Sequence, residues 1–330
     1  MNYPESFSFK PRTYLTSGDR MTLFTWARPR YFPNLPPSTR RFFDVAPDAR
    51  VLAHCHWQSN PRNHPTVVAL HGLEGSSQAH YMRGIADKVF AAGLNVVLLN
   101  QRNCGNTEHL SRGLYHSGLT DDPKAVLQEL IEVDGISNTA IIGYSLGGNV
   151  ALRLGGQLTN DYPLALRAIC AVSPTIDLNL CVHALEERRN SIYEWNFVRN
   201  LKRRMLKKIQ LFPGQFDAKP LSRIRSVRDF DEEYTAPYHG FRDADDYYHR
   251  ASSLRVVNQI SIPTLIISAK DDPFVPPRQF SETEIANNPH IKTNITRHGG
   301  HCGFLTESNK QFDGYWAEQK TVEFILHHFG

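Results

Sequence analysis

Short apolar runs alternate along this chain with longer segments whose apolar residues recur at helical spacing. The runs are rich in β-branched residues and lie at residues 66–70, 95–99, 139–142, 168–172, 263–268 and 292–297, which predicts buried strands. The apolar positions 82, 85, 89 and 90 predict one helix, and Asp122 and Pro123 predict the start of another. This order indicates the α/β class, with a mostly parallel central sheet and helices on both faces.

The alternation stops after residue 172 and resumes at residue 263. A polar, aromatic-rich segment of about residues 177–248 lies between, and we interpret it as an inserted helical lid. We expect its apolar helical face to pack over a site, and a transient contact of its basic face with an anionic lipid surface is the alternative. The apolar face holds Val198, Leu201, Met205 and Ile209, and the basic residues around it are Arg199, Lys202, Arg203, Lys207 and Lys208.

Length and composition fit one large domain. The 330 residues are 41% hydrophobic and 21% charged, as in ordinary globular proteins. We expect a single domain over residues 1–330, with an N-terminal extension of about residues 1–50 and the lid inserted into the domain. The net charge of +4 is too small to indicate nucleic-acid binding. The oligomeric state does not follow from the sequence.

The chain contains no apolar run of about eighteen residues, so we expect no stable membrane insertion. Its first ten residues lack the apolar core of a signal peptide, which makes a cytoplasmic location the default expectation.

The five cysteines are widely spread and form no C-x-x-C pair, which argues for free thiols and against a disulfide framework or a structural zinc site. His54 and His56 would point to the same side of a strand, but no third ligand accompanies them. We therefore expect neither a metal ion nor a cofactor.

One serine lies between two glycines at a predicted strand-to-helix junction. Residues 143–147 read GYSLG, and the apolar run at 139–142 precedes them. A turn this tight has no room for side chains at the flanking positions, and it lifts the hydroxyl of Ser145 above the end of the sheet. The pattern is typical of the nucleophile in the α/β-hydrolase fold.

A serine nucleophile needs a histidine to take its proton and a carboxylate to orient that histidine, and in this fold they follow in the order acid, then histidine. Asp271 and Asp272 come directly after the run at 263–268, and we favour Asp272 because a proline follows it and closes the turn. His301 follows the run at 292–297 in a glycine-rich loop, and His298 is the alternative.

The oxyanion of an acyl-transfer reaction also needs backbone donors. In this fold one N–H follows the nucleophile, which is Leu146 here, and another comes from an early glycine-rich loop, where we expect Leu73. In that loop His71 and Glu74 are expected to shape the backbone. A cysteine nucleophile is disfavoured because Ser145 occupies the turn.

These motifs together resemble the YheT-like α/β-hydrolases, also called the AB hydrolase 4 family. The chain departs from the family pattern at Asn103, where glycine is usual, and before about residue 63. The resemblance implies hydrolysis of acyl esters, and some eukaryotic members act on lipids or form fatty acyl esters by transfer to an alcohol.

The matching segments are 71–75 (HGLEG), 101–105 (QRNCG), 115–118 (YHSG), 143–149 (GYSLGGN), 271–274 (DDPF) and 298–301 (HGGH). Tyr234 and residues 239–241 and 246–248 also match, and we expect them to close the pocket floor or hinge the lid.

The expected reaction is a two-step acyl transfer on a small-molecule ester or acyl-lipid substrate. His301 takes the proton of Ser145 during attack on the ester carbonyl, Asp272 stabilises the imidazolium, and the N–H groups of Leu73 and Leu146 bind the oxyanion. Water then releases the acid. Transfer of the acyl group to an alcohol is one alternative. A binding protein without turnover is another, but such proteins commonly lose a triad member.

Overall fold

Eight strands form one sheet within residues 8–158, 165–281 and 283–330, the parts of the chain that the computed structural model describes. The strands are β1 (Thr39–Ala46), β2 (Ala49–His56), β3 (Thr66–Leu70), β4 (Asn95–Leu99), β5 (Thr139–Tyr144), β6 (Leu166–Val172), β7 (Thr264–Ala269) and β8 (Ile291–Thr296). Their order across the sheet is β1-β2-β4-β3-β5-β6-β7-β8. β2 is antiparallel to β1 and to β4, and the other neighbouring pairs are parallel. The prediction of a mostly parallel sheet is confirmed.

Helices cover both faces of this sheet. Those of the described residues are α1 (Gly18–Ala27), α2 (His80–Ala91), α3 (Asp121–Glu132), α4 (Leu146–Gln157), α5 (Leu178–Leu185), α6 (Ser191–Leu211), α7 (Val227–Phe230), α8 (Ala236–Tyr238), α9 (Ala244–Ala251), α10 (Thr283–Ala286) and α11 (Trp316–Phe329). Successive strand residues point to opposite faces, so Val68 and Ile141 pack in a core with α3 and α4, while Val67 and Ile142 pack in a second core with α2 and α11. Strands covered on both faces read as continuous apolar runs, which is why the sequence pattern located them.

The N-cap of helix α3 lies two residues before the predicted cap at Asp122. The N-cap residue is Thr120, and Asp122 lies inside the first turn. The carboxylate of Asp122 is buried and accepts hydrogen bonds from the Arg102 guanidinium at 2.7 to 3.0 Å. An aspartate before a proline suggested a cap, but an ion pair with a distant loop occupies this side chain instead.

The N-terminal residues contribute to the sheet. Of the predicted extension, residues 1–7 lie outside the described residues, and residues 8–50 include α1 and β1. β1 pairs along its length with β2 at the sheet edge. The sequence pattern did not identify β1 because an edge strand with one exposed face carries few apolar residues.

The residues predicted to form the lid lie between β6 and β7. They include α5 to α8, a π-turn at Asp231–Thr235 and the start of α9. Helix α6 buries Val198, Leu201 and Met205, as its apolar spacing predicts, and Ile209 is partly buried against them. Whether this segment moves as a lid stays a prediction.

Lys208 differs from the expectation for α6. It was expected among the solvent-facing basic residues, but it is buried, and its Nζ donates to the side chain of Asn103 and to the carbonyls of Glu108 and Ser111. The loop after β4 folds over this face of the helix and supplies those acceptors. Burial lowers the pKa of Lys208 to about 8. The predicted basic surface therefore lacks Lys208, and its contact with a lipid surface stays a prediction.

None of the helices in the described parts of the chain has both the length and the apolar character needed to cross a bilayer.

Candidate active site

Ser145 occupies a strained backbone position between β5 and α4. Its φ is 54° and its ψ is −119°, and its N–H donates to the carbonyl of Val172 at 2.9 Å. A Cβ on Gly143 would lie 2.1 Å from the carbonyl oxygen of Gly147, and one on Gly147 would lie 2.5 Å from the carbonyl oxygen of His71. Both positions therefore require glycine. The packed turn holds the serine in a conformation that costs free energy, as nucleophile turns do.

Asp272 and His301 form a buried pair. His301 Nδ1 lies 2.9 Å from Asp272 Oδ2, and the carboxylate side chain is completely buried. The other oxygen, Oδ1, accepts hydrogen bonds from the N–H groups of Phe274 and Val275 at 3.1 and 3.0 Å. Both oxygens of the carboxylate are therefore engaged, and Nδ1 of the histidine is occupied by the pair.

The adjacent carboxylate faces a different histidine. Asp271 Oδ2 lies 3.3 Å from His298 Nδ1, and Asp271 Oδ1 accepts a hydrogen bond from the N–H of Gly300 at 3.0 Å. The side chains of this pair are 22% and 24% exposed, so it lies nearer to solvent than the pair of Asp272 and His301. The two alternatives left open by the sequence thus form a second pair of their own.

The loop that carries His301 packs against the serine turn. The carbonyl of Val172, which accepts from the N–H of Ser145, also lies 3.7 Å from Cys302 Sγ. The ring of Phe274 is 4.1 Å from the ring of His301, between centroids, and lines the same cavity as Ser145. The imidazole therefore packs against a side chain that lines the cavity into which the serine opens.

The pKa of His301 is raised above its ordinary value of 6.5. Burial alone would lower this pKa, but the adjacent Cys302 and the Asp272 carboxylate act in the opposite direction and outweigh it. A partner that stabilises the imidazolium is what a serine nucleophile requires of its base.

The glycine-rich loop after β3 lies against the serine turn. A Cβ on Gly72 would be 3.0 Å from Ser145 Cβ, so the two backbones approach closely. Leu73 and Leu146 both line the cavity with Ser145. Leu146 is the first residue of α4, where backbone N–H groups have no acceptor within the helix.

His71 holds this loop in place. Its Nε2 accepts from the N–H of Gln101 at 3.1 Å, and its Nδ1 donates to the carbonyl of Gly72 at 2.8 Å. Burial lowers the pKa of His71 to about 4, which keeps the ring neutral and suits this arrangement.

Glu74 ties the same loop to helix α6. Its backbone has a φ of 58°, and its carboxylate forms an ion pair with Arg204 at 2.7 Å. The hydroxyl of Tyr115 donates to this carboxylate at 3.3 Å, and the Arg204 guanidinium lies over the Tyr115 ring. Both charged side chains are nearly buried, so a segment of the predicted lid contacts the residue next to Leu73.

The cavity beside Ser145 is mostly apolar. The cavity has a volume of about 90 Å³. Its apolar wall comes largely from α5 and α6, including Leu178, Val182, Leu185 and Leu201. Of the aromatic residues expected to close the pocket, Tyr247 and Tyr248 line it, whereas Tyr234 packs against Phe230.

A family model described as the alpha/beta hydrolase fold matches residues 65–308. The chain belongs to the α/β-hydrolase family. Among its relatives is YheT of Escherichia coli (strain K12), whose name gives its esterase activity as inferred. The two sequences are 35% identical over 76% of this chain and 74% of YheT. Phospholipase ABHD3 of Mus musculus is 28% identical over 78% of this chain, which spans 61% of ABHD3.

A solved structure resembles this α/β-hydrolase over nearly its whole length. The esterase Pf2001 of Pyrococcus furiosus superposes with a TM-score of 0.58 at 18% identity, over 92% of this chain and 99% of Pf2001. This likeness supports the fold. The curated relatives confirm the resemblance to YheT-like hydrolases and place the chain among ester hydrolases of the esterase and lipase type.

Other candidate groups of this α/β-hydrolase have different surroundings. Cys104 is fully buried, and burial raises the pKa of its thiol to about 12, so it is a poor nucleophile. His54 Nδ1 lies 3.0 Å from Ser38 Oγ, and His56 Nδ1 donates to the carbonyl of Pro36 at 2.9 Å. Among the described residues, no three His, Cys, Asp or Glu side chains are grouped as metal ligands would be.

Some groups that contact the site carry no signal in the sequence. The hydroxyl of Thr22 on α1 accepts from the N–H of His301 at 2.8 Å across 279 positions of sequence. Arg204 and the cavity residue Asp231 lie in the predicted lid, where local spacing does not show which side chain faces the site.

Proposed function

We propose that this protein hydrolyses carboxylic esters of acyl or lipid-like substrates, with Ser145 as nucleophile, His301 as base and Asp272 as the orienting acid. The observation that carries the proposal is the buried pair of Asp272 and His301, whose imidazole packs against Phe274 of the cavity into which the strained Ser145 turn opens. The substrate class follows from the esterase and phospholipase relatives and from the mostly apolar cavity wall.

In the first step the Oγ of Ser145 bonds to the ester carbonyl carbon while His301 Nε2 accepts its proton. The carboxylate of Asp272 stabilises the imidazolium and holds Nδ1 as a donor. The N–H groups of Leu73 and Leu146 stabilise the oxyanion. The imidazolium then gives its proton to the departing alcohol, which leaves an acyl-enzyme on Ser145.

In the second step a water molecule loses a proton to His301 and attacks the acyl-enzyme. The tetrahedral intermediate collapses, the proton returns to Ser145 Oγ, and the carboxylic acid departs. Transfer of the acyl group to an alcohol would use the same residues, with the alcohol in place of water, and stays a prediction.

Labelling by a fluorophosphonate probe tests the proposal. We expect one adduct, mapped by mass spectrometry to Ser145, and turnover of p-nitrophenyl esters by the unlabelled protein. The Ser145→Ala variant should fold, fail to label, and lose at least about 10⁴-fold in kcat, because removal of a triad nucleophile leaves only the contribution of binding and the oxyanion hole.

Exposed Ser191→Ala is a suitable control, because Ser191 begins α6 and does not line the cavity. A folded Ser145→Ala protein with wild-type turnover would show that another residue is the nucleophile. Folded wild-type protein that neither labels nor turns over esters would favour the binding role instead.

A further inference from the structure

The cavity has a polar end that the proposed reaction does not use. Asp231, the first residue of the π-turn, lines the same cavity as Ser145. Its Oδ1 accepts a hydrogen bond from the hydroxyl of Thr235 at 2.6 Å, and its Oδ2 accepts one from the hydroxyl of Tyr248 at 2.8 Å. A carboxylate accepts about four hydrogen bonds, so each oxygen retains acceptor capacity.

The charge of this carboxylate is only partly compensated, because Arg228 acts on it without forming an ion pair. Within residues 8–158, 165–281 and 283–330, Asp231 forms no ion pair. The nearest guanidinium that affects it belongs to Arg228, which pairs instead with Glu186 at 3.0 Å and Asp245 at 2.6 Å. Desolvation raises the pKa of Asp231 to about 6, so the group is mostly ionised at neutral pH. An ionised group without an ion-pair partner in a mostly apolar cavity is costly, and such groups mark functional sites.

Three further features of the cavity and its surroundings suit a polar, positively charged ligand group. The hydroxyl of Thr175, another cavity residue, is buried and has no hydrogen-bond partner among the described residues. The π-turn that begins at Asp231 is a rare element that occurs often at functional sites. The rings of Tyr247 and Tyr248, with centroids 5.2 Å apart, also line the cavity, and aromatic faces attract cations.

We propose that Asp231 forms a subsite for an ammonium group carried by the ester substrate. This inference rests on the ester hydrolysis proposed above and adds a specificity to the same cavity. An ammonium group would neutralise the partly buried carboxylate and donate charge-assisted hydrogen bonds to it. A hydroxyl group would supply a weaker hydrogen bond and no charge, and a methyl group would leave the carboxylate unpaired.

A purely structural role for Asp231 makes a different prediction. The carboxylate could serve only to tie the π-turn to Thr235 and Tyr248. Loss of either hydrogen bond would then weaken the turn similarly, without regard to the substrate. Thr235→Val removes one of these hydrogen bonds and keeps the charge, whereas Asp231→Asn removes the charge and keeps one oxygen that can accept, with an NH2 group facing the other hydroxyl.

The test compares p-nitrophenyl esters of equal chain length that end in an ammonium, a hydroxyl or a methyl group: 6-aminohexanoate, 6-hydroxyhexanoate and heptanoate. A second series carries the same three end groups on the alcohol portion of hexanoate esters. Each kcat/KM is divided by the rate constant for uncatalysed hydrolysis of the same ester, so that differences in intrinsic reactivity cancel. We expect the wild type to prefer ammonium over methyl by about tenfold or more in one series, with hydroxyl between them.

The variants separate charge recognition from structure. We expect Asp231→Asn to reduce the ammonium-to-methyl ratio to within about twofold of unity, and Thr235→Val to keep the wild-type ratio. Glu233→Gln is the matched control, because this neighbouring acid pairs with the exposed Arg223 and does not line the cavity. Thermal melts establish that each variant is folded.

A wild type with no preference in either series, or an equal loss of the ratio in Asp231→Asn and Thr235→Val, would overturn the subsite. Failure of the wild type on every ester would instead contradict the proposed function. Calorimetric titration with hexylammonium then tests the subsite separately, with hexanol as the neutral comparison. Tighter binding of hexylammonium that Asp231→Asn abolishes would support it, and equal binding of both compounds would overturn it.

Discussion

Asp271 and Asp272 are neighbours in the chain, but their carboxylates have different environments. Asp272 is buried and paired with His301, whereas Asp271 is partly exposed and paired with His298. We expect Asp272→Asn to lower kcat by about 10³- to 10⁴-fold, because an amide cannot stabilise the imidazolium or hold the required tautomer. Asp271→Asn should lower it by less than about tenfold. Kinetics on one p-nitrophenyl ester give both values, and equal losses would contradict the assignment.

The raised pKa of His301 predicts the pH dependence of the reaction. The imidazole must be neutral to take the proton of Ser145, so kcat/KM should rise with pH along a limb centred above the ordinary value of 6.5. Removal of the carboxylate in Asp272→Asn removes one cause of the shift and should move the limb to lower pH. Profiles of kcat/KM between about pH 5 and pH 10 check this, and a wild-type limb below the ordinary value would contradict it.

At the residue scale the sequence predicted the members of the site by order and type. The glycines around Ser145 and the loops after two late strands were enough to select Ser145, Asp272 and His301. Local spacing could not reveal Thr22, because its hydrogen bond to His301 joins the two ends of the chain. The choice between Asp271 and Asp272 rested on a turn preference, and only the packing of the loop separates the two carboxylates.

At the scale of elements, helix α6 and the loop after β3 are joined by a buried ion pair. Arg204 pairs with Glu74, the residue that follows the proposed oxyanion donor Leu73. We expect Arg204→Met to lower kcat by about tenfold to a hundredfold, because small displacements of catalytic groups are costly. It should also destabilise the protein by about 3 kcal/mol, since it leaves a buried carboxylate unpaired. Kinetics and urea unfolding measure the two effects.

A double-mutant cycle with Glu74→Gln distinguishes the ion pair from simple packing. The double variant should recover part of the stability that Arg204→Met loses, because no buried charge is left unpaired. Arg203→Met is the control on the same helix, since Arg203 is exposed. Strictly additive losses in the cycle would show that the two side chains do not act together.

Elements with a strong local pattern were predicted well. The runs for β3 and β4 coincide with the strands, and those for β5 to β8 lie within about two residues of them at either end. β1 lies at the sheet edge with a mixed polar pattern and was included in the extension. Lys208 shows the same limit in a helix: its position predicts exposure, but the loop after β4 covers it.

At the scale of the whole molecule, the N-terminal helix supports a loop near the C-terminus. Thr22 on α1 accepts from the N–H of His301, and a Cβ on Gly18 would lie 1.7 Å from the carbonyl oxygen of Asp271. We expect Thr22→Val to cost about 1–3 kcal/mol of stability by leaving that N–H unpaired. It should lower kcat/KM by about tenfold, because His301 is less well positioned.

The matched control for Thr22→Val is Thr13→Val, whose hydroxyl donates to the exposed Glu307 and which does not line the cavity. Chemical denaturation and ester kinetics on both variants make the comparison. Equal behaviour of the two variants would show that α1 does not support the histidine loop.

The sequence by itself determined the α/β order of elements, the turn that needs glycine around Ser145 and the order in which acid and histidine follow it. These features depend on short-range geometry, which residue spacing records. Only the tertiary structure decided that Asp272 faces His301, that Arg204 reaches Glu74 and that Asp231 lines the cavity. Each of these contacts joins segments far apart in the chain, and their approach depends on the packing of the whole sheet and its helices.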